Sequence, residues 1–321
     1  MVEIEAPAKA ILLGEHAVVY GKPALAVAID LPLRMRLLPA EGWRLDQEEF
    51  QPRRRGYIAA ALERAWQGGP LAMTIRSSIP PASGLGSSAA VTCATLAGAM
   101  TLAARTWDSR ALASSAFDVE WAVQGAASPT DTSTIAHGGG ILLRPAGSES
   151  SPLIDGHRSP LWELSRGARA WEVSAIEVPR LSLVVGNTGV KGRTTDLVAA
   201  VRARTEQDAA ARAAIERIGA LTMEGTEALL RGDLATLGQL MAEDHALLRS
   251  LGVSHPALEA LVSGAAPVSL GAKLTGAGGG GSIIALTDDV ERTAHAIVKA
   301  GGMPYVVEVD RQGTRVVGEA P

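Results

Sequence analysis

Short apolar runs in the first third of the chain predict β-strands. Residues 9–14 (KAILLG) and 23–30 (PALAVAID) are apolar and bounded by Pro and Gly, whereas residues 71–76 (LAMTIR) alternate between apolar and polar positions. A polar, arginine-rich stretch, 43–68, separates the last two strands, and we predict a helix in it over Tyr57–Gln67. The first third is therefore expected to be mainly sheet.

Two helices are predicted next. The first covers Ser87–Arg105. The second starts after Asp108, a good N-cap residue, and ends before Gly125, a residue that commonly terminates helices. Apolar residues recur on one face of the second helix, and Glu120 lies beside that face. A carboxylate at this position can line the edge of a cleft.

The rest of the chain mixes strands and helices. Residues 138–145 resemble a strand behind a glycine turn, and residues 146–170 lose periodicity, which predicts a crossover between two lobes. Further elements are predicted as strands at 172–178, 181–187, 282–287, 304–310 and 315–317, and as helices at Arg193–Thr205, Ala209–Leu230, Leu234–Leu251 and 288–300. This arrangement indicates an α+β protein with lobes at 1–165 and 166–321.

Composition and charge narrow the classes of function. The 321 residues are 47% hydrophobic and 20% charged, which is typical of a globular protein. The formal net charge of −4 gives no basic field, so neither nucleic acid nor a membrane surface is expected as a partner. Cys93 is the single cysteine, and acidic residues rather than basic ones follow Met1. Both observations favour the cytoplasm.

The longest uncharged segment, residues 77–104, is long enough to cross a bilayer. Its first dozen positions contain two prolines, two glycines and five serines, which would leave backbone groups without hydrogen-bond partners in lipid. The remainder is rich in small residues that suit close packing inside a protein. We therefore expect no membrane span.

Two glycine-rich segments suggest a ligand. Residues 84–89 match G-x-G-x-x-A and residues 276–281 match G-x-G-x-x-G, the fingerprint of dinucleotide-binding oxidoreductases. The fingerprint needs a strand before the glycines and a helix after them, and neither segment has both. A phosphate-binding loop fits residues 84–89 better, because the helix from Ser87 directs free N–H groups at an anion. A loop of tightly packed glycines stays an alternative.

Two carboxylates, Glu120 and Asp131, flank a segment rich in Gly, Ser and Pro. We interpret this segment as a glycine-bounded loop, where functional side chains are frequent. Most Asp and Glu residues, however, are solvated surface groups or helix caps. Taken alone, the two carboxylates are only candidates for an active site.

Three segments together resemble the motifs of the GHMP kinases, the superfamily of galacto-, homoserine, mevalonate and phosphomevalonate kinases. Residues 7–26 (PAKAILLGEHAVVYGKPALA) resemble the N-terminal motif, residues 80–90 (PPASGLGSSAA) the phosphate loop, and residues 273–286 (KLTGAGGGGSIIAL) the third motif. The form GEHAVVYG, together with residues 187–198 and 244–262, is most similar to the mevalonate kinases.

The resemblance implies the two-lobed GHMP kinase fold, with an N-terminal lobe like ribosomal S5 domain 2 and a ferredoxin-like C-terminal lobe. It also implies a homodimer that uses ATP and Mg²⁺ to phosphorylate the 5-hydroxyl of (R)-mevalonate. Mevalonate 3-kinase, phosphomevalonate kinase and diphosphomevalonate decarboxylase stay open as alternatives. A non-catalytic relative is a further alternative, although such proteins typically lose the base or metal ligands that are present here.

The family motifs assign roles to individual residues. Asp131 is expected to accept or orient the proton of the attacking hydroxyl, with Lys9 as its partner. Mg²⁺ is expected at Ser88 and Glu120. The nucleotide phosphates are expected at the phosphate loop, formed by Pro80, Pro81, Ala82, Ser83, Gly84, Leu85, Gly86, Ser87, Ser88, Ala89 and Ala90.

The resemblance also places the second substrate. Glu15, His16 and Thr188 are candidates for the mevalonate pocket. The glycine loop (residues 276–281) is expected to close over the triphosphate and the substrate through Gly276, Ala277, Gly278 and Gly279. The segment VQGAASPTDT resembles the short archaeal-type branch of the family. Animal-type relatives have His in place of Gln124 and Gly in place of Pro129, and these departures concern the substrate pocket.

Overall fold

The computed structural model describes residues 1–125, 127–167, 169–192 and 194–319. Its strands are β1 (Val2–Leu13), β2 (Ala24–Pro39), β3 (Arg44–Leu45), β4 (Glu48–Glu49), β5 (Leu71–Ser77), β6 (Gly140–Pro145), β7 (Arg158–Arg166), β8 (Arg169–Ile176), β9 (Leu183–Asn187), β10 (Gly271–Thr275), β11 (Ser282–Leu286), β12 (Met303–Val307) and β13 (Arg315–Glu319). Its α-helices are α1 (Gly56–Ala65), α2 (Ser87–Leu102), α3 (Ser109–Gln124), α4 (Thr130–His137), α5 (Pro152–His157), α6 (Thr194–Gln207), α7 (Ala209–Leu230), α8 (Leu234–Ser250), α9 (Pro256–Ala265) and α10 (Val290–Lys299).

The first sheet is built around β1 and β2. These strands pair antiparallel along almost their whole length, from Val2↔Leu37 to Leu13↔Leu25. β2 continues the sheet on its other side through β5 and β6, and β8 and β7 follow β6. The last strand, β13, returns to pair with the start of β1. Helix α2 packs against this sheet and is buried along most of its length. Its residues are nearly all small or apolar on every side, which is typical of a buried helix.

The second sheet contains four antiparallel strands in the order β10-β11-β9-β12. Every residue of β10 and β11 is buried, so neither strand alternates between buried and exposed positions. Strand β11 (SIIAL) is mainly apolar, whereas β10 (GAKLT) also buries Lys273 and Thr275. A direct link joins the two sheets: Thr275 Oγ1 accepts a hydrogen bond of 3.0 Å from Ile11 N and donates one of 3.2 Å to Ile11 O. Strand β10 of the second sheet is therefore fixed beside β1 of the first.

Helix α3 has the ends that its sequence predicts. The Asp108 side chain accepts a hydrogen bond from Ala111 N at the start, and Gly125 adopts a left-handed conformation at the end. The prediction for α6 began at Arg193, which lies outside the described residues. Among the described residues, no helix is both long enough and apolar enough to cross a bilayer.

The predicted crossover at 146–170 is wrong. That segment contains α5 and most of a hairpin, β7–β8, and β8 pairs with β6 in the first sheet. The hairpin lies at the sheet's end, where polar and turn residues are tolerated, and this accounts for its weak periodicity. The chain passes to the second sheet only between Ile176 and Leu183. The division into lobes at 1–165 and 166–321 stays a prediction.

Candidate active site

A cavity of about 940 Å³ lies between the phosphate loop, the glycine loop and the loop that follows β1. Most of the predicted site residues line it, namely Lys9, Glu15, His16, Ala82, Ser83, Gly84, Gly86, Ser87, Ser88, Glu120, Asp131, Gly276, Ala277 and Gly278. The predicted residues outside its lining are Pro80, Pro81, Leu85, Ala89, Ala90, Thr188 and Gly279. Leu85, Ala89 and Ala90 belong to the hydrophobic core, so they support the phosphate loop from behind.

The phosphate loop directs backbone donors into the cavity. Gly86 has a φ of 79°, in the left-handed region that favours glycine, and α2 begins at the next residue without a side-chain cap. The first N–H groups of the helix therefore stay available to an anion at the positive end of the helix dipole. Ser83 adds a buried hydroxyl that has no hydrogen-bond partner among the described residues. A phosphate group would satisfy these donors.

The phosphate loop and the glycine loop touch each other. A Cβ atom on Gly84 would lie 2.6 Å from the Thr275 carbonyl oxygen, and one on Gly276 would lie 2.8 Å from Gly84 Cα. Both glycines also have positive φ angles. Any side chain at either position would force the loops apart, so both motifs require glycine at this contact.

Lys9 and Asp131 face the cavity as an ion pair. Lys9 Nζ lies 3.0 Å from Asp131 Oδ1 and donates a hydrogen bond of 3.0 Å to Gly84 O. The Lys9 side chain is 2% exposed, whereas that of Asp131 is 29% exposed. The lysine is thus held in place while the carboxylate reaches space that a substrate can enter.

Asp131 lies in the first turn of α4, so its prediction as a loop residue is wrong. The helix sequence, TDTSTIAH, contains several β-branched residues with modest helix propensity, and its stability comes from burial, because six of its eight residues are buried. The position suits a carboxylate, because the helix dipole favours negative charge in the first turn.

Glu120 and Ser88 lie next to this pair. Ser88 Oγ donates a hydrogen bond of 3.3 Å to Glu120 Oε1. Burial raises the pKa of Glu120 to about 8, and the negative charge of Asp131 adds to the rise, whereas Ser88 and Lys9 oppose it. A buried carboxylate of this kind would be stabilised by a cation.

His16 is held as a neutral imidazole. Its Nε2 lies 3.0 Å from the carbonyl oxygen of Ala277, and because a carbonyl can only accept, Nε2 carries the proton. Burial lowers the pKa of His16, the bond to Ala277 opposes this, and the charge of Lys273 adds to it. Nδ1 is therefore an acceptor, and it has no partner among the described residues. The φ of His16 is 59°, a conformation rarely adopted outside functional or tightly held sites.

Thr188 supports the glycine loop instead of lining the cavity. Its hydroxyl donates a hydrogen bond of 2.7 Å to Gly281 O and accepts one of 3.1 Å from Val190 N. Gln124, where the sequence departs from animal-type relatives, donates a hydrogen bond of 2.6 Å to the Tyr57 hydroxyl, and both residues line the cavity. Sequence reasoning missed Tyr57, since its helix carries no motif.

Sequence reasoning also gave no role to Lys273 or Asp244. Glu15 forms a buried ion pair with Lys273, and Lys273 Nζ lies 3.3 Å from Asp244 Oδ2. Lys273 stands inside the third motif, so its position was a usable signal. Asp244 lies in α8 and begins the segment 244–262 that resembles the mevalonate kinases, but its helical pattern alone does not distinguish it from a surface group.

Comparisons with known proteins agree with this arrangement. The family model described as "GHMP kinases N terminal domain" matches residues 54–139, and the one described as "GHMP kinases C terminal" matches residues 226–302. Mevalonate kinase from Pyrococcus horikoshii is 34% identical to this chain, with 97% of the chain and 96% of that protein covered. The chain belongs to the mevalonate kinase family. A second mevalonate kinase, from Methanothermobacter thermautotrophicus, is 36% identical over 87% of this chain and 88% of its own length.

A solved structure extends the comparison to the fold of the family. L. major mevalonate kinase, in complex with R-mevalonate, has a TM-score of 0.76 and 27% identity, and the match covers 96% of this chain and 95% of that one. The predicted GHMP kinase fold of this mevalonate kinase family member is thereby confirmed. The three motifs bring Lys9 and both glycine-rich loops to the cavity, and Asp131 completes the ion pair from α4.

Proposed function

We propose that the protein transfers the γ-phosphoryl group of ATP to the 5-hydroxyl of (R)-mevalonate and yields mevalonate 5-phosphate for isoprenoid precursor synthesis. The observation that carries the proposal is the pair of Lys9 and Asp131, whose carboxylate opens onto a cavity bordered by a phosphate loop. Membership of the mevalonate kinase family supports the choice of acceptor.

Phosphoryl transfer requires mainly positioning and neutralisation of charge. In this proposal Asp131 accepts the proton of the 5-hydroxyl or orients that hydroxyl for attack, a contribution that is typically about 10²–10⁴-fold. Lys9 stabilises negative charge on the transferring group, and its bond to Gly84 O keeps it aimed at the phosphate loop. The amides at the start of α2 and the Ser83 hydroxyl hold the ATP phosphates.

The residues present fit a magnesium ion. Among the described residues, no group of three or more His, Cys, Asp or Glu side chains could hold a metal by itself. Ser88 and Glu120 offer hydroxyl and carboxylate oxygens, the ligands that Mg²⁺ prefers, and Mg²⁺ usually completes its shell with waters and substrate phosphates. Bound there, the ion would neutralise charge on the ATP phosphates. Ser88 and Glu120 would hold it.

The acceptor pocket is proposed beside His16 and Glu15. His16 lines the cavity, and its buried Nδ1 is an acceptor without a partner among the described residues, because the Nε2 proton is committed to Ala277. The same tautomer makes His16 a poor partner for a second phosphate. Thr188 acts on the substrate only through the glycine loop in this proposal.

Several basic residues of the cavity already have partners. Lys22 Nζ lies 2.5 Å from Glu216, Arg202 lies 3.5 Å from Glu206, and Arg212 donates to backbone carbonyl oxygens. Arg169, which is exposed, also lines the cavity. The choice of mevalonate over phosphomevalonate as the acceptor therefore rests on the family match and not on these cations.

The proposal extends to assembly and location. We propose a homodimer, as the family resemblance implies, and a two-lobed organisation with the site between the lobes. A cytoplasmic location is supported by the use of ATP and by the burial of Cys93 as a free thiol. Light scattering on the purified protein tests the dimer.

The test of the reaction is the identity of its product. The purified protein is incubated with ATP, Mg²⁺ and (R)-mevalonate, and the product is assigned by ³¹P and ¹³C NMR, in parallel with Asp131→Asn and with the exposed control Asp288→Asn. We expect mevalonate 5-phosphate from the wild type and the control, and almost none from Asp131→Asn. A 3-phosphate would overturn the assigned position, and turnover of phosphomevalonate instead of mevalonate would overturn the acceptor.

A further inference from the structure

Three buried charged side chains meet beneath the acceptor side of the cavity. Glu15 comes from the loop after β1, Lys273 from β10 and Asp244 from α8. Their side chains are 1%, 0% and 0% exposed. Lys273 Nζ is paired with Glu15 Oε1, lies 3.3 Å from Asp244 Oδ2 and donates a hydrogen bond of 2.8 Å to Leu274 O. One lysine thus stands between two carboxyl groups.

The charges of this cluster do not balance when all three groups are ionised. One cation faces two anions, and an uncompensated charge in a buried position is strongly unfavourable. The hydrogen bonds are also incomplete, because Glu15 Oε2 and both oxygens of Asp244 have no hydrogen-bond partner among the described residues. A single proton on Asp244 removes both problems, since it neutralises the excess charge and supplies a donor to Glu15.

We propose that Asp244 is a protonated carboxyl group that donates a hydrogen bond to Glu15 and is a positioning residue for the acceptor pocket. The protonation is independent of the substrate. Its effect on the pocket rests on the proposed function, because Glu15 and its neighbour His16 line the cavity in which mevalonate is placed.

The surroundings of Asp244 favour the protonated form. Burial raises the pKa of Asp244 well above its usual range, the charge of Lys273 opposes this, and the charge of Glu15 adds to the rise. The adjacent His245 is neutral, because its Nδ1 accepts from Leu274 N and its pKa is lowered by burial. It therefore offers no second cation.

The other charged groups near α8 are committed elsewhere. On the side packed against α7, Arg217 is bound to Glu224 and Glu243 on the protein surface. On the side that faces Glu259 of α9, this carboxylate pairs with Arg249 and lies 3.1 Å from Nε2 of the neutral His245. Lys273 and Glu15 are thus the charged groups that act on Asp244 most directly.

The first experiment measures protonation without using activity. Urea unfolding of the wild type and of Asp244→Asn is compared at several values between pH 5 and pH 8. An aspartate that keeps its proton in the native state but loses it on unfolding makes the native state less favourable as pH rises. The unfolding constant of the wild type, divided by that of the variant, should therefore rise by up to about tenfold per pH unit.

A ratio that stays constant over this pH range would overturn the proposal, because Asp244 would then be ionised in the native state. Asn is nearly isosteric with the protonated acid and keeps an N–H donor, so Asp244→Asn is expected to fold. This arm also stands if the protein does not phosphorylate mevalonate, and so the failure of the inference and the failure of the proposed function can be told apart.

The second experiment measures positioning. Asp244→Leu matches the acid in size but has no donor, and it leaves Glu15 Oε2 unpartnered. We expect KM for mevalonate to be more than about tenfold higher in Asp244→Leu than in Asp244→Asn, with KM for ATP similar in both. Equal KM values for mevalonate in the two variants would contradict the positioning role. If Asp244→Leu does not fold, the unfolding comparison with Asp244→Asn still decides the protonation.

Discussion

Two lysines in this protein are buried to nearly the same degree, yet they serve sites of opposite character. Lys9 on β1 is 2% exposed and pairs with Asp131, whose side chain is 29% exposed to the cavity. Lys273 on β10 is fully buried and pairs with Glu15 and Asp244, which are fully buried too. Both lysines face carboxyl groups, but Asp131 is a partly exposed carboxylate, whereas we propose that Asp244 is protonated. Exposure to the cavity distinguishes a carboxylate that can contact a substrate from buried carboxyl groups that support the pocket.

The largest effect on activity is expected at the ion pair of Lys9 and Asp131, which opens onto the cavity. Lys9→Met removes the charge that faces the transferring group, and we expect kcat to fall by about 10²–10³-fold, the range for loss of one preorganised electrostatic contact. Stability should change little by comparison, because Asp131 can be hydrated from the cavity. Steady-state kinetics and denaturant unfolding on the same preparation check both statements. Retention of the wild-type kcat would remove the distinction between the two lysines.

In the buried cluster of Glu15, Lys273 and Asp244, the corresponding substitution should lower the free energy of unfolding. Lys273→Met leaves the Glu15 carboxylate buried without its cation, and breaking a buried pair in this way typically costs about 3–5 kcal/mol of unfolding free energy. The control is Lys299→Met, at an exposed helix end, where loss of the charge should cost less than about 1 kcal/mol. Similar unfolding midpoints for the two variants would show that the buried lysine is not needed to balance charge.

Thr275 tests the connection between the two sites, because it joins β10, which carries Lys273, to β1, which carries Lys9. Thr275→Val keeps the shape of the side chain but leaves the buried Ile11 N–H without an acceptor, at a cost of about 1–3 kcal/mol. Thr275→Ser keeps the hydroxyl and should retain most of the stability. If Val and Ser are equivalent in thermal unfolding, the hydroxyl does not hold the strands together.

The smallest effect is expected at His245. Its Nδ1 accepts from Leu274 N, and His245→Gln should cost about 1 kcal/mol at pH 7.5 for this imperfectly replaced bond. Burial lowers the pKa of His245, so the wild type loses stability as pH falls below about 6.5, where the unfolded chain takes up the proton more readily. The difference between wild type and variant should therefore shrink from pH 7.5 to pH 5.5. A difference that grows on acidification would mean that the native imidazole is charged.

Local sequence signals predicted some elements well. Helix α3 has both predicted ends, because these signals are local. The Asp108 side chain caps the first turn, and the Gly125 backbone adopts the left-handed conformation that ends the helix. The β7–β8 hairpin was mistaken for a crossover, because its strands lie at the end of a sheet and lack a strong apolar pattern. Helix α4 was mistaken for a loop, because its stability depends on burial rather than on helix propensity.

In the candidate site too, residues with a local sequence signal were predicted, and residues that depend on tertiary packing were missed. The motifs predicted the residues that line the cavity at Lys9, Glu120 and Asp131, because each lies in or beside a distinctive segment. Asp244 begins the segment 244–262, which resembles the mevalonate kinases, but that resemblance assigned it no role. It lies about thirty residues before Lys273 in the chain, and only the packing of α8 against β10 makes it part of the cluster.

The return of β13 to the first sheet determines the order in which the protein can be assembled. Arg315 at the start of this strand reaches back to Glu5 on β1, more than three hundred positions earlier in the chain. During synthesis, part of the β1 edge therefore has no partner strand until residues 315–319 have emerged from the ribosome. An uncovered edge can pair with other chains. The last strand thus completes the domain that the first strand begins, and late truncations should favour aggregation of nascent protein.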